Sequence, residues 1–149
     1  MALRSCAPRL ASMSQPLVMQ LIVDRRLIVD QGWPVGPMMA QGAHATAAVL
    51  AQTAAAPDTA EYLAPENLQS MRKVVLQAPD GTGLRDVAAQ LDAARAESAE
   101  VPPHYLWVEQ PEDVPTCLAV APNRKPKVSS MLTVQALTKV LRKCALLRV

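Results

Sequence analysis

The chain has 149 residues, enough for one domain with a buried core. Half of them are hydrophobic, yet only 3% are aromatic and none is Phe, so the core must be aliphatic. Three scattered cysteines, Cys6, Cys117 and Cys144, exclude a disulfide framework and point to a reducing compartment; the two histidines stand in no zinc-binding spacing, and no apolar run reaches the ~18 residues a membrane helix needs.

The net charge of +2 hides an asymmetry. From Asn123 to Val149 there are seven basic residues and no acid, which leaves eight basic residues against 13 acids, a net of −5, in the remainder. A basic end on an acidic body is a footprint for a polyanion; the alternative is a solvated helix face.

Residues 1–15 carry Arg4 and Arg9, three serines and no acid. They read as a flexible leader or a targeting segment, with Met13 an alternative start, and residues 16–149 as the folded domain. Pro16 to Asp24 is a near-continuous apolar run, the pattern of a strand covered on both faces. Arg25 to Trp33 reads as a loop with an apolar patch, Leu27-Ile28-Val29.

The next stretch, Gly32-Trp33-Pro34-Val35-Gly36-Pro37, turns straight into an Ala-rich helix expected from about Pro37 to about Ala56. Gly36 and Pro37 suit the cap and the first helical position, where a missing N–H does no harm. At 3.6 residues per turn, Pro37, Gln41, His44, Ala48 and Ala51 share one face, and Gly42, Ala45, Thr46 and Val49 another. The second face is small enough to lie close on a sheet. Pro57-Asp58 ends the helix, and Asp58 is placed to cap a short turn through Tyr62 and Leu63.

Met71 to Ala78 predicts the second strand. Asp80 is the expected cap of a helix whose apolar stripe is Leu84, Val87, Ala88, Leu91 and Ala94. Gly81 and Gly83 match neither a dinucleotide nor a P-loop spacing and read as turn residues, so no cofactor is expected. Pro102-Pro103 breaks the chain before a third strand, His104 to Glu109. A fourth strand, Thr116 to Ala121, follows so closely that the pair must be an antiparallel hairpin. His104, at a strand edge, is expected to be exposed, and Cys117 to be a buried strand residue. Ser129 or Ser130 caps a last helix with Met131, Val134, Leu137, Leu141 and Cys144 inward and Lys139, Arg142 and Lys143 outward. The order predicts an α/β three-layer sandwich, a mixed four-stranded sheet with helices on both faces.

Gln41-x-x-His44-Ala45, after a glycine-containing helix start, resembles the type 2 peptidyl-tRNA hydrolases, whose stretch reads roughly G-K-G-K-x-A-A-Q-x-x-H-A-A. Trp33-Pro34-Val35-Gly36 is similar to the W-P-x-G of a divergent subgroup, the peptidyl-tRNA hydrolase domain-containing proteins. Met71 to Asp80 and Leu106 to Glu112 resemble further subgroup segments in the right order. The resemblance covers roughly residues 16 to 144 and implies the same three-layer fold. It also implies hydrolysis, by an activated water, of the ester between a peptidyl or N-blocked aminoacyl group and tRNA.

Carried over residue by residue, the family's histidine is His44 and the preceding amide Gln41. Thr116 fits the family threonine, because Thr116-Cys117-Leu118-Ala119-Val120-Ala121-Pro122 resembles T-V-L-G-I-G-P. Pro37 falls where the family has a lysine. Glu109-Gln110-Pro111-Glu112 sits where a Q-D-A-G loop carries an aspartate, so Glu109 or Glu112 is the substitute carboxylate, with Glu109 preferred. Trp107 reads as core; Trp33 reads equally as core or as a stacking platform. Arg124, Lys125, Lys127, Lys139, Arg142 and Lys143 are the expected tRNA-binding residues. The partners implied are tRNA or peptidyl-tRNA, with no membrane and no metal, and a homodimer is left open. The expected compartment is the cytoplasm, with the mitochondrion as runner-up. The alternative function is a catalytically weakened RNA-binding module of the same fold.

Overall fold

The computed structural model describes residues 15–124 and 137–148. The leader with Cys6, the basic positions Lys125 and Lys127, the Ser129 or Ser130 cap, and the inward positions Met131 and Val134 lie outside the described residues. The elements run β1 (Met19–Val23), α1 (Arg25–Val29), α2 (Val35–Gln52), α3 (Pro57–Tyr62), a 3₁₀ turn (Pro65–Ser70), β2 (Lys73–Gln77), α4 (Leu84–Glu97), β3 (His104–Glu109), β4 (Val114–Val120) and β5 (Ala145–Leu146). Residues 137–141, before β5, are helical.

The sheet is mixed, in the order β3-β4-β1-β2-β5. β1 and β2 are parallel and every other pair is antiparallel, including the expected β3–β4 hairpin. The sheet thus has five strands rather than four. The fifth is two residues long and lies where the sequence reads as the end of a helix; it forms only because β2 offers it an edge.

Strand alternation sorts the core into two layers. Ile22, Leu76, Leu118 and Val120 face α4 and the helical residues Leu137 and Val140. Met19, Leu21, Val23, Cys117 and Ala119 face α2. The α4 stripe is buried as its spacing predicts. Its cap differs: Gly83 is the N-cap, and the Asp86 carboxylate accepts from the Gly83 N–H at 3.2 Å, so Asp80 is not used. Gly81 makes the turn before it, with φ +72°.

Four further expectations are corrected around α2. Arg25 to Val29 is a helix, not a loop, because Asp24 caps it through the Arg26 N–H and also holds the Arg26 guanidinium. Gly32, at φ +69°, then turns the chain, and α2 begins two residues early, with Pro34 as N-cap and Val35 first. Pro37 is therefore the third helical residue, still within the first turn, where its missing N–H costs nothing. α2 also ends early: the Thr53 hydroxyl donates to the Val49 carbonyl at 2.7 Å and lies 2.9 Å from the Thr59 hydroxyl on α3. Asp58 sits inside α3 without capping it; the N-cap is Ala56.

α2 lies mainly over β3 and β4. Its small face meets the sheet as expected, with Ala45 and Val49 fully buried and Gly42 over Leu21. Beside it, over β1 and β2, an apolar groove of about 660 Å³ stays open, lined among others by Met39, Ala43, Ala47, Leu50 and Val75. Among the described residues no helix is long and apolar enough to cross a membrane.

Candidate active site

The polar residues of α2 emerge on its other flank, above the β3–β4 hairpin. In that hairpin Trp107 pairs with Cys117 but Val108 pairs with Pro115, so Thr116 is an extra residue with none opposite. This is a one-residue bulge. It accommodates Pro115, which has no N–H for a ladder, and it re-aims a side chain. By simple alternation Thr116 would share the α4 face with Leu118 and Val120. The bulge turns it toward α2 instead, where its hydroxyl donates to Gln41 Oε1 at 3.0 Å. Both residues are buried, Gln41 at 5% exposure and Thr116 at 0%. Each satisfies a polar group that burial would otherwise penalise.

His44 stands one turn beyond Gln41 and is exposed. Its ring stacks on the Trp107 indole, with centroids 4.6 Å apart and planes 21° from parallel. The indole N–H donates to Glu109 Oε2 at 3.0 Å, and Tyr105 leans on the same indole at 6.4 Å. Trp107 does pack against the α2-side core, as expected, but it also faces the site. Trp33 packs against the same core.

Gln41, His44, Thr116 and Glu109 therefore gather around Trp107: the Thr116 hydroxyl, bonded to Gln41, also lies 3.5 Å from the Trp107 carbonyl, Glu109 accepts from the indole, and His44 stacks on it. The imidazole nitrogens of His44 have no hydrogen-bond partner among the described residues; Thr116 is taken by Gln41, and Glu109 by Trp107. Glu112 is exposed. The Trp107–Glu109 link had a signal in the sequence: residues two apart on a strand share a face, and an indole N–H seeks an acceptor. The stack on His44 had none, since it depends on where α2 crosses β3.

Cys117 lies beside Thr116 but is no nucleophile, because burial pushes its thiol up to about 12. His104 departs from expectation. Its side chain is only 7% exposed, with Nε2 3.6 Å from Asp92, and burial lowers its pKa. Among the described residues no cluster of acids, cysteines and histidines could hold a metal ion.

The described basic residues of the C-terminal segment do not converge on His44. Arg124 is bonded to both Asp58 and Glu61 of α3, and the hydrogen bond to Glu61 is the main cause of its raised pKa. Lys139, Arg142 and Lys143 are exposed, as expected, but in the segment whose buried residues, Leu137, Val140 and Cys144, pack with α4 on the opposite sheet face from His44.

The sequence profile of the family "Peptidyl-tRNA hydrolase PTH2" matches residues 17–137. Two curated relatives, each named "Putative peptidyl-tRNA hydrolase PTRHD1", one from Homo sapiens and one from Mus musculus, are 40% identical over 119 residues, 79% of this chain and 79% of each relative. The chain belongs to the PTH2 family. The relatives' name also bears out the divergent subgroup to which Trp33-Pro34-Val35-Gly36 pointed. Within this PTH2 domain the bulge at Thr116 and the α2 helix bring together residues 75 positions apart in the chain.

Proposed function

We propose that this PTH2 domain hydrolyses the ester between a peptidyl or N-blocked aminoacyl group and tRNA, with His44 activating the water. The observation that carries this reading is the His44 imidazole itself: exposed, held flat against Trp107, and one helical turn from the buried Gln41–Thr116 pair. A neutral imidazole is the side chain best suited to orient or deprotonate water near neutral pH. Gln41 and Thr116 fix the wall of the site, and Glu109 holds the Trp107 indole on which His44 rests. The uncapped N–H groups at the start of α2, on Val35 and Gly36, offer a phosphate the positive end of the helix dipole. Lys125, Lys127, Lys139, Arg142 and Lys143 contribute attraction to the tRNA backbone, while Arg124 is already held by α3. The proposed activity is consistent with the cytoplasm, with the mitochondrion the runner-up, and with a homodimer in either.

The test is release of tRNA from a blocked aminoacyl-tRNA, wild type beside His44→Ala at one salt concentration. The variant is expected to lose about 10²- to 10⁴-fold in rate, the ordinary worth of a general base. Failure of the wild type to turn over would overturn the reading. One observation favours the alternative, an RNA-binding module: Glu109 bonds Trp107, and among the described residues no carboxylate is hydrogen-bonded to His44. That alternative predicts salt-sensitive RNA binding without turnover, weakened by replacing Lys125, Lys127 and Lys139.

A further inference from the structure

We infer that Trp107 and Glu109 are a positioning pair that sets the orientation of the His44 imidazole, and that Glu109 acts on His44 only through the Trp107 indole. The inference takes from the proposed function only the idea that His44 stands at the reacting centre; the positioning itself concerns the free protein.

His44 is exposed on α2 and has, among the described residues, no hydrogen bond that would select a rotamer. Its ring lies on the indole face, 4.6 Å away and 21° from parallel. A metal-free histidine that orients water ordinarily has its second nitrogen tied to a carboxylate or carbonyl, which fixes the ring. Here a stacked ring takes that part. A stack fixes the plane of the imidazole but works only if the indole is itself fixed. Trp107 is held at three places: its edge packs on the α2-side core, Tyr105 tilts against it at 6.4 Å, and its N–H is tied to Glu109 at 3.0 Å. Trp107 and Glu109 share one strand face two residues apart, so the tie is local to β3.

Glu109 stands near the sequence position where the family resemblance looks for a catalytic carboxylate, yet it accepts its hydrogen bond from the Trp107 indole rather than from His44. Its contribution is thus to stop the indole rotating. Removing it should loosen the stack, and removing the indole should make Glu109 irrelevant to His44.

Two measurements test this. The first needs no substrate. Protons over an indole face are shielded, and the chain has only two histidines, so the carbon-bound ring protons of His44 and His104 can be assigned by comparison with His44→Ala. The His44 signals are expected upfield of an ordinary histidine, to move downfield fully in Trp107→Ala and partly in Glu109→Ala, and to stay near the wild-type value in Glu109→Gln, whose amide oxygen still accepts the N–H. The His104 signals report on the fold and should stay put in all of them. Unshielded His44 signals in the wild type, or no movement in Glu109→Ala, would overturn the inference.

The second is a cycle in kcat and KM with Trp107→Phe, which keeps an aromatic face and removes the N–H. Glu109→Ala is expected to lower kcat about tenfold with KM unchanged in the wild-type background, within the range that small misplacements cause. In the Trp107→Phe background it should do nothing further. An equal loss in both backgrounds would mean that Glu109 meets substrate or His44 directly, and the inference falls. If no variant and no wild type turns over, the hydrolase reading has failed, and the shielding measurement still decides the positioning.

Discussion

The two faces of the sheet treat their polar groups differently. On the α2 face Gln41 and Thr116 are buried as a pair, each satisfying the other, while His44 is left at the surface against an indole. On the α4 face a single imidazole, His104, is buried at the start of β3. Its Nδ1 has no partner among the described residues, and its Nε2 reaches only an exposed Asp92 at 3.6 Å. A sheet that needed only to be covered would fill both layers with aliphatic side chains, as α4 otherwise does with Leu84, Val87 and Leu91. The Gln41–Thr116 pair, the bulge and the exposed histidine all fall on one side. That concentration separates the face that carries the candidate site from the face built around a core.

The largest effect that could break this comparison is at Thr116. Thr116→Val keeps the shape and removes the hydroxyl, leaving the Gln41 carbonyl oxygen without its donor in a buried place. Stranding such a group costs about 1–3 kcal/mol. Denaturant unfolding should show that loss as a lower midpoint at unchanged slope. The double variant Gln41→Leu with Thr116→Val removes both partners and should recover most of it, because the two are coupled. A Thr116→Val variant as stable as wild type would mean that the pair is not satisfied in the way described, and that the two faces are alike.

What the sequence made legible follows from the same contrast. Local patterns carried the α4 face: a stripe at intervals of three and four residues gave α4, the Pro102-Pro103 break gave the start of β3, and the short gap gave the hairpin. Motif order carried Gln41, His44 and Thr116, since their types and spacing stand in the chain itself. What depended on one element meeting another was not legible. The two-residue β5 exists only beside β2, and His104 is buried only because α4 covers it. The Trp107–His44 stack likewise needs the crossing of α2 over β3. α1 was missed for a local reason, since Asp24 reads as the end of a strand and is equally the cap of the five-residue helix that follows. In the basic segment summed charge does not say where each cation points: Arg124 is paired with α3, and Lys139, Arg142 and Lys143 belong to the α4 side.

His104 supplies the smaller and sharper test. Burial lowers its pKa below the usual 6.5; Asp92 pulls it up and Arg95 pushes it further down, but burial dominates. The unfolded chain therefore takes up a proton on this residue before the folded chain does. Unfolding binds protons in that window, so stability falls as the solution is acidified. The contribution is fully present above about pH 6.5 and is lost as the pH drops through the lower folded value. His104→Leu removes the titrating group together with the unpaired Nδ1, at the cost of a weak attraction to an exposed carboxylate. At pH 7.5 the variant should lie within about 1 kcal/mol of wild type, and near pH 5 it should be the more stable of the two. Unfolding midpoints across that range measure the difference. A gap that stays constant with pH would show that His104 protonates as freely in the folded chain as in the unfolded one. The α4 face would then hold a solvated histidine, and the contrast with His44 would reduce to the indole on which His44 rests.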